Sequence, residues 1–222
     1  GRSYVYSPSN IPYASNDLVM MTYATGGVAE MLRNWVRHVE RVKTQGILVA
    51  AMDHAVTAQC TEQRFDCLDW STTAVEKDTQ YVRGDFAGFR ALGVRKLDAL
   101  LAVLSRGVHV VLSDVDCVWS ASPEALVRGH TPGFQAFADA DVLVATDCMS
   151  PELDASGDGC YNELMDKNTG VLAVRATADG IATMREWRQR IALAQKDEQD
   201  QTTFMDLMDS NGRGHRWGMT PQ

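Results

Sequence analysis

The chain has 222 residues, of which 45% are hydrophobic and 23% charged, and 21 Lys plus Arg stand against 29 Asp plus Glu for a formal net charge of −8. At this size roughly 70% of the unfolded surface can be buried without a covalent staple, and the ordinary composition excludes a disordered, collagenous or fibrous chain. The acidic balance, with no basic stripe to follow a phosphate backbone, excludes general nucleic-acid binding; no apolar run reaches the roughly 20 residues of a membrane span, and the first residues lack the charged and apolar regions of a signal peptide.

From Asp17 onward, short apolar runs alternate with helical patterns, which predicts an α/β domain on a mainly parallel sheet. Residues 18–25 read as the first strand. Gly26-Gly27 then opens a helix whose apolar positions, Val28, Met31, Leu32, Trp35, Val36 and Val39, recur at helical spacing. Residues 47–52 form a second buried strand ending at Asp53, followed by a short helix towards Cys60 and a polar stretch, 61–79, that includes a surface loop. Residues 89–105 read as a helix with Leu92, Leu97, Leu100, Leu101 and Leu104 on its inner face, stopped by Gly107. Residues 108–112 are apolar apart from His109, as suits a strand buried on both faces, and run into Ser113-Asp114-Val115-Asp116-Cys117-Val118-Trp119. A strand at 142–146, an Asp-, Ser- and Gly-rich loop at 149–159, a strand at 168–174, a helix at 178–194 and a helix starting at 200–208 complete the pattern.

Two carboxylates dominate the chemistry. If the strand persists, Asp114 and Asp116 face the same side, about 6 to 7 Å apart, and they either share a hard cation such as Mn²⁺ or Mg²⁺ or are solvated acids at a strand end. Lys96 is either a surface lysine or a cation reaching a phosphate. Asn168-Thr169-Gly170 is either an ordinary turn or a ligand-lining segment whose glycine admits close approach. Asp200-Gln201 opens a helix, so its simplest role is a cap. Of five cysteines, Cys60 with Cys67 and Cys148 with Cys160 would close short loops in an oxidising compartment, or all remain free thiols. The five histidines show no ligand spacing. No GxSxG elbow, Walker loop or GxGxxG is present.

In order, NWVRHVERV, LVAAMDHAVTAQC, FRALGVRKLDALLAVLSRGVHVVLSDVDCVW, NTGVLAVRAT and DQTTFMDLM resemble the nucleotide-diphospho-sugar transferase family of plant-type cell-wall arabinosyl- and xylosyltransferases. The resemblance runs from about Asp17 to Met208 and implies a GT-A-like Rossmannoid fold, one transferase domain over 1–222 with 1–16 as an N-terminal extension, and retaining transfer from a UDP-sugar donor with Mn²⁺ or Mg²⁺ to a glycan or glycoprotein. It further implies residence in the Golgi lumen, a membrane anchor upstream of Gly1 and C-terminal elements beyond the chain. By position, Asp114 and Asp116 match the metal-binding DxD, with His215 as the residue to complete the metal shell; Lys96 matches a basic phosphate partner, and Asn168 and Gly170 match the donor-sugar lining. Asp200 and Gln201 match an acid-amide pair near the anomeric carbon. Tyr23, Ala24 and Thr25 fall where uracil and ribose sit, and Asp53 and Asp114 belong to the same nucleotide-binding set. Two features depart from the family: Phe204-Met205 stands where Phe-Asn is expected, and no clear late histidine motif follows. Two other readings compete: a haloacid-dehalogenase-type phosphatase, which also uses a strand-end DxD with 142–146 as its second motif, and a non-catalytic carbohydrate-binding descendant of the transferase fold.

Overall fold

The computed structural model describes residues 4–71, 86–146, 167–194 and 198–210. Among these, seven strands form one sheet: β1 (Val5–Tyr6), β2 (Leu18–Ala24), β3 (Ile47–Ala51), β4 (Cys67–Asp69), β5 (His109–Ser113), β6 (Val142–Ala145) and β7 (Asn168–Val174), in the order β1-β4-β3-β2-β5-β7-β6. Pairing is parallel from β1 through β5, whereas β7 runs antiparallel to both β5 and β6. This is the expected α/β architecture with a mainly parallel sheet flanked by helices.

The helices are α1 (Ala29–Arg41), α2 (His54–Gln63), α3 (Phe86–Leu104), the single turn α4 (Glu124–Val127), α5 (Ala178–Leu193) and α6 (Asp200–Ser210), with 3-10 turns at Gly26–Val28 and Gln135–Asp139. Strand alternation divides the core between two faces. Val19, Met21, Leu48, Ala50, Val110 and Leu112 pack against Leu97, Leu100 and Leu104 of α3, Trp187 of α5 and Phe204 of α6. Met20, Val49, Ala51 and Val111 pack against Leu32, Trp35 and Val36 of α1 and Val56 of α2. Both faces are covered, which is why β3 and the middle of β5, Val110 to Leu112, are continuously apolar.

Three expectations change. Met31, placed on the apolar face of α1, is exposed, because the buried stripe runs through Leu32, Trp35, Val36 and Val39. The polar stretch 61–79 contains β4, and residues 5–6, read as part of an extension, pair with it as the edge strand β1. Gly107 ends the turn after α3 as expected: its φ of +79° suits glycine, and a Cβ there would stand 2.4 Å from Ser15 Oγ. Cys60 and Cys67 form a disulfide joining α2 to β4, which decides that pairing, while Cys148 and Cys160 lie outside the described residues.

The irregular chain between β5 and β6 is held from outside. Arg175, just after β7, donates from Nη2 to the Val127 and Phe137 carbonyls at 2.7 and 3.0 Å and from Nε to the Ala140 carbonyl at 2.9 Å.

Candidate active site

Ligands of open α/β sheets collect beyond the carboxyl ends of the parallel strands, and here that edge carries Tyr23, Asp53 and Asp114. β5 stops at Ser113. Asp114 opens a turn closed by the Cys117 N–H on the Asp114 carbonyl at 3.2 Å, so the strand geometry expected to put both carboxylates on one face does not extend to Asp116. Asp114 is half-buried and Asp116 exposed. The Asp114 amide donates to the Gly170 carbonyl at 2.8 Å, which fixes the turn to β7.

The two oxygens of Asp114 have different fates. Oδ1 accepts the Tyr23 hydroxyl at 2.9 Å. Oδ2 faces Gly170, where a Cβ would lie 3.1 Å from it and 2.7 Å from Asn168 Oδ1, itself bound by the Gly170 amide at 2.7 Å. A side chain at 170 would fill the space beside that oxygen. Burial raises the Asp114 pKa, opposed by Lys96 and the Tyr23 hydrogen bond. Tyr23 is pushed well above the ordinary phenol value, first by burial and then by the Asp114 charge, so its hydroxyl stays a donor.

Lys96 is 2% exposed, which removes the surface-lysine alternative. Its Nζ pairs with Asp200 Oδ2 at 2.5 Å and lies 5.3 Å from the ring centroids of both Tyr23 and Trp187. Such burial is tolerable only because the charge is paired and the ring faces are electron-rich. Asp200 Oδ1 accepts the Gln201 amide at 3.0 Å, and its carbonyl accepts Trp187 Nε1 at 2.9 Å and the Thr203 hydroxyl at 2.8 Å. Gln201 Oε1 accepts the Thr169 amide at 3.3 Å. The first turn of α6 therefore meets the start of β7, and Tyr23, Lys96, Asp114, Asn168, Gly170, Asp200 and Gln201 are brought to one place.

Ala24, Thr25 and Asp53 take no part in these hydrogen bonds and ion pairs. Ala24 is buried, and its carbonyl accepts the Met52 amide at 2.9 Å. Thr25 precedes the 3-10 turn without a side-chain capping bond. Asp53, 2% exposed, uses Oδ1 on the Val56 amide at 3.0 Å and Oδ2 on the Gly26 amide at 2.7 Å. It caps α2 and anchors the turn that leads into α1. His215 and the loop at 149–159 lie outside the described residues. Sequence reasoning missed Trp187, whose helical spacing reads only as core, and assigned no role to Ser113 and Trp119 although both flank the acidic pair. Cys117 stays a thiol, because burial and then the two nearby aspartates raise its pKa.

No group of three or more His, Cys, Asp and Glu side chains among the described residues is arranged to hold a metal. Asp114 nevertheless offers a hard oxygen donor beside the Gly170 cradle, and Asp116, whose charge acts on Asp114, offers a second. That set fits Mn²⁺ or Mg²⁺, which bind through one or two carboxylates and leave the rest of the shell to water and substrate phosphates.

The model of the nucleotide-diphospho-sugar transferase family matches residues 42–217. Among curated proteins, the chain is 25% identical over 199 residues to arabinosyltransferase XEG113 of Arabidopsis thaliana, covering 87% of this chain and 28% of that protein. It is 28% identical over 129 residues to UDP-D-xylose:L-fucose alpha-1,3-D-xylosyltransferase of the same plant, covering 58% and 35%. The chain thus spans about a third of the length of these relatives. A solved structure of the galactosyltransferase LgtC with donor and acceptor sugar analogues covers 86% of this chain and 70% of its own at 16% identity, with a TM-score of 0.43.

Proposed function

The chain belongs to the nucleotide-diphospho-sugar transferase family, and from that premise we propose that it is a metal-dependent glycosyltransferase that moves a sugar from a UDP-sugar to a hydroxyl of a glycan or glycoprotein, with retention at the anomeric carbon. The observation that carries this reading is the meeting of Asp114, with one oxygen facing the Gly170 cradle, and the buried Lys96–Asp200 pair at one edge of the sheet. The phosphatase alternative falls with the family assignment.

Asp114 and Asp116 would hold Mn²⁺ or Mg²⁺, with His215 as a further ligand, and the ion supplies charge neutralisation on the departing diphosphate. Tyr23 fixes the attitude of Asp114 by occupying Oδ1. Lys96 brings a cation to the same edge, where it favours a phosphate. Ala24 and Thr25 border the base and ribose on a turn that Asp53 holds from within through the Gly26 amide, and Asn168 and Gly170 line the donor sugar. Asp200 holds donor hydroxyls, and the Gln201 side-chain oxygen stabilises positive charge that develops as the glycosidic bond breaks, an interaction of value mainly in the transition state. The Cys60–Cys67 disulfide supports residence in an oxidising secretory compartment, here the Golgi lumen. No helix among the described residues is long and apolar enough to cross a membrane.

Thermal-shift measurements with UDP, GDP and CDP, each with Mn²⁺ or with EDTA, test the proposal, since a ligand bound only by the native state raises its stability. UDP with Mn²⁺ is expected to raise the melting temperature, and GDP, CDP or EDTA to abolish the rise. No shift with UDP and Mn²⁺, or equal shifts with all three nucleotides, would sink it; a UDP shift with no turnover of any UDP-sugar would identify the non-catalytic descendant.

A further inference from the structure

Ser113, the last residue of β5, is fully buried, and its hydroxyl is met by two tryptophans and by the turn that follows it. It accepts Trp35 Nε1 from α1 at 2.7 Å and Trp119 Nε1 from the chain beyond the turn at 3.2 Å, and it donates to the Asp114 carbonyl at 3.2 Å. A hydroxyl has one proton and two lone pairs, so these three bonds use all of its capacity. An indole only donates. With both lone pairs filled by indole N–H groups, the serine proton is left to the turn that follows, where the Asp114 carbonyl and the Cys117 sulfur are both within reach.

The same Asp114 carbonyl closes the turn by accepting the Cys117 amide, while the Asp114 amide is held by Gly170. Both backbone groups of the residue that begins the acidic turn are thus fixed, one from β7 and one through Ser113. Trp35 is fully buried beneath the sheet, whereas Trp119 is half-buried and packs on the same apolar cluster from the outside. The hub therefore has a fixed arm and an arm carried by the chain that follows Asp116.

We propose that Ser113 is a positioning residue, oriented by Trp35 and Trp119, that sets the Asp114–Cys117 turn and hence the placement of the two carboxylates for metal and diphosphate. The proposal rests on the transferase reading for its ligand, though not for its geometry. Trp119→Phe keeps the ring and removes one N–H; Ser113→Ala removes the hub. By calorimetry, each single variant is expected to bind UDP in the presence of Mn²⁺ about 10-fold more weakly. The double variant should be no weaker than Ser113→Ala, because residues acting through one contact are non-additive. The melting temperature of Trp119→Phe should stay within about 2 °C of wild type, since a half-buried N–H contributes little to global stability. Wild-type affinity in Trp119→Phe, or losses that sum in the double variant, would overturn the proposal. Should the wild-type chain itself fail to bind UDP with Mn²⁺, the transferase reading fails instead. Amide hydrogen exchange at Cys117 in the ligand-free chain then decides: faster exchange in Trp119→Phe upholds the positioning role, and unchanged exchange refutes it.

Discussion

Two apolar strands of this sheet run into an aspartate at the same edge, and the two acids do opposite work. After β3, Asp53 gives one oxygen to the Val56 amide and the other to the Gly26 amide. After β5, Asp114 gives one oxygen to Tyr23 and turns the other towards the space left by Gly170. Asp53 is enclosed by helix starts, whose unsatisfied amides take up a carboxylate. Asp114 enters a turn in which its own amide and that of Cys117 bond to carbonyls, and one carboxylate oxygen is left facing the Gly170 space for a ligand. A strand-end acid is defined less by its strand than by the amides that follow it.

The largest expected effect breaks the Asp53 side of this contrast. Asp53→Ala strands two backbone amides, one of them in a helix cap, and should cost about 3 kcal/mol in chemical denaturation, the sum of a lost cap and an unsatisfied donor. Asp116→Ala tests the other side: the residue is exposed, so stability should move by less than about 0.5 kcal/mol. Mn²⁺-dependent UDP affinity should fall about 100-fold, equivalent to about 2.7 kcal/mol. If the two variants exchange these signatures, with Asp116→Ala unfolding and Asp53→Ala folded but unable to bind, the contrast is wrong.

The smallest effect concerns the opposite end of β5. His109 Nδ1 accepts the Ala176 amide at 2.9 Å, which requires that nitrogen unprotonated. Burial, then Arg175 and Arg128, lower the His109 pKa from 6.5. The unfolded chain therefore binds the proton more readily than the folded one, and this contribution to stability is present above pH 6.5 and lost as the pH falls towards the lowered value. His109→Gln should lose that part of the acid slope when melting temperature is followed from pH 7.5 to pH 5. An unchanged slope would show that His109 titrates alike in both states. The carboxyl edge should feel none of this, which sharpens the division between the two ends of the strand.

The scaffold was legible wherever burial imposed a pattern. The strands near 18–25, 47–52, 108–112 and 168–174 read from their apolar runs, and α1, α3 and α5 from helical spacing. β1 and β4 were not readable, because Val5–Tyr6 and Cys67–Asp69 are too short to show alternation, and their pairing is a tertiary fact. The reversed direction of β7 was equally hidden, since an apolar run has no sign. In the site, Lys96 and Asp200 stand 104 positions apart, and no local pattern says that they meet; the family resemblance named them, while the ion pair between them came only with the fold. Ser113 and Trp119 lay in plain view beside the acidic pair, but a serine's value as a hub depends on the indoles that reach it.

The Arg175 strap has a consequence for inheritance. Its acceptors, Val127, Phe137 and Ala140, contribute main-chain carbonyls, and every amino acid encodes a carbonyl. Codons across 127–140 can therefore drift without touching the strap, apart from Gly129, with φ of +69° and a Cβ position 2.8 Å from the Gln135 carbonyl, and Gly133, with φ of +87°. The genetic load of the segment is displaced onto a codon outside it, and even Lys at 175 is no synonym, because an ammonium lacks the planar fork that spans three carbonyls.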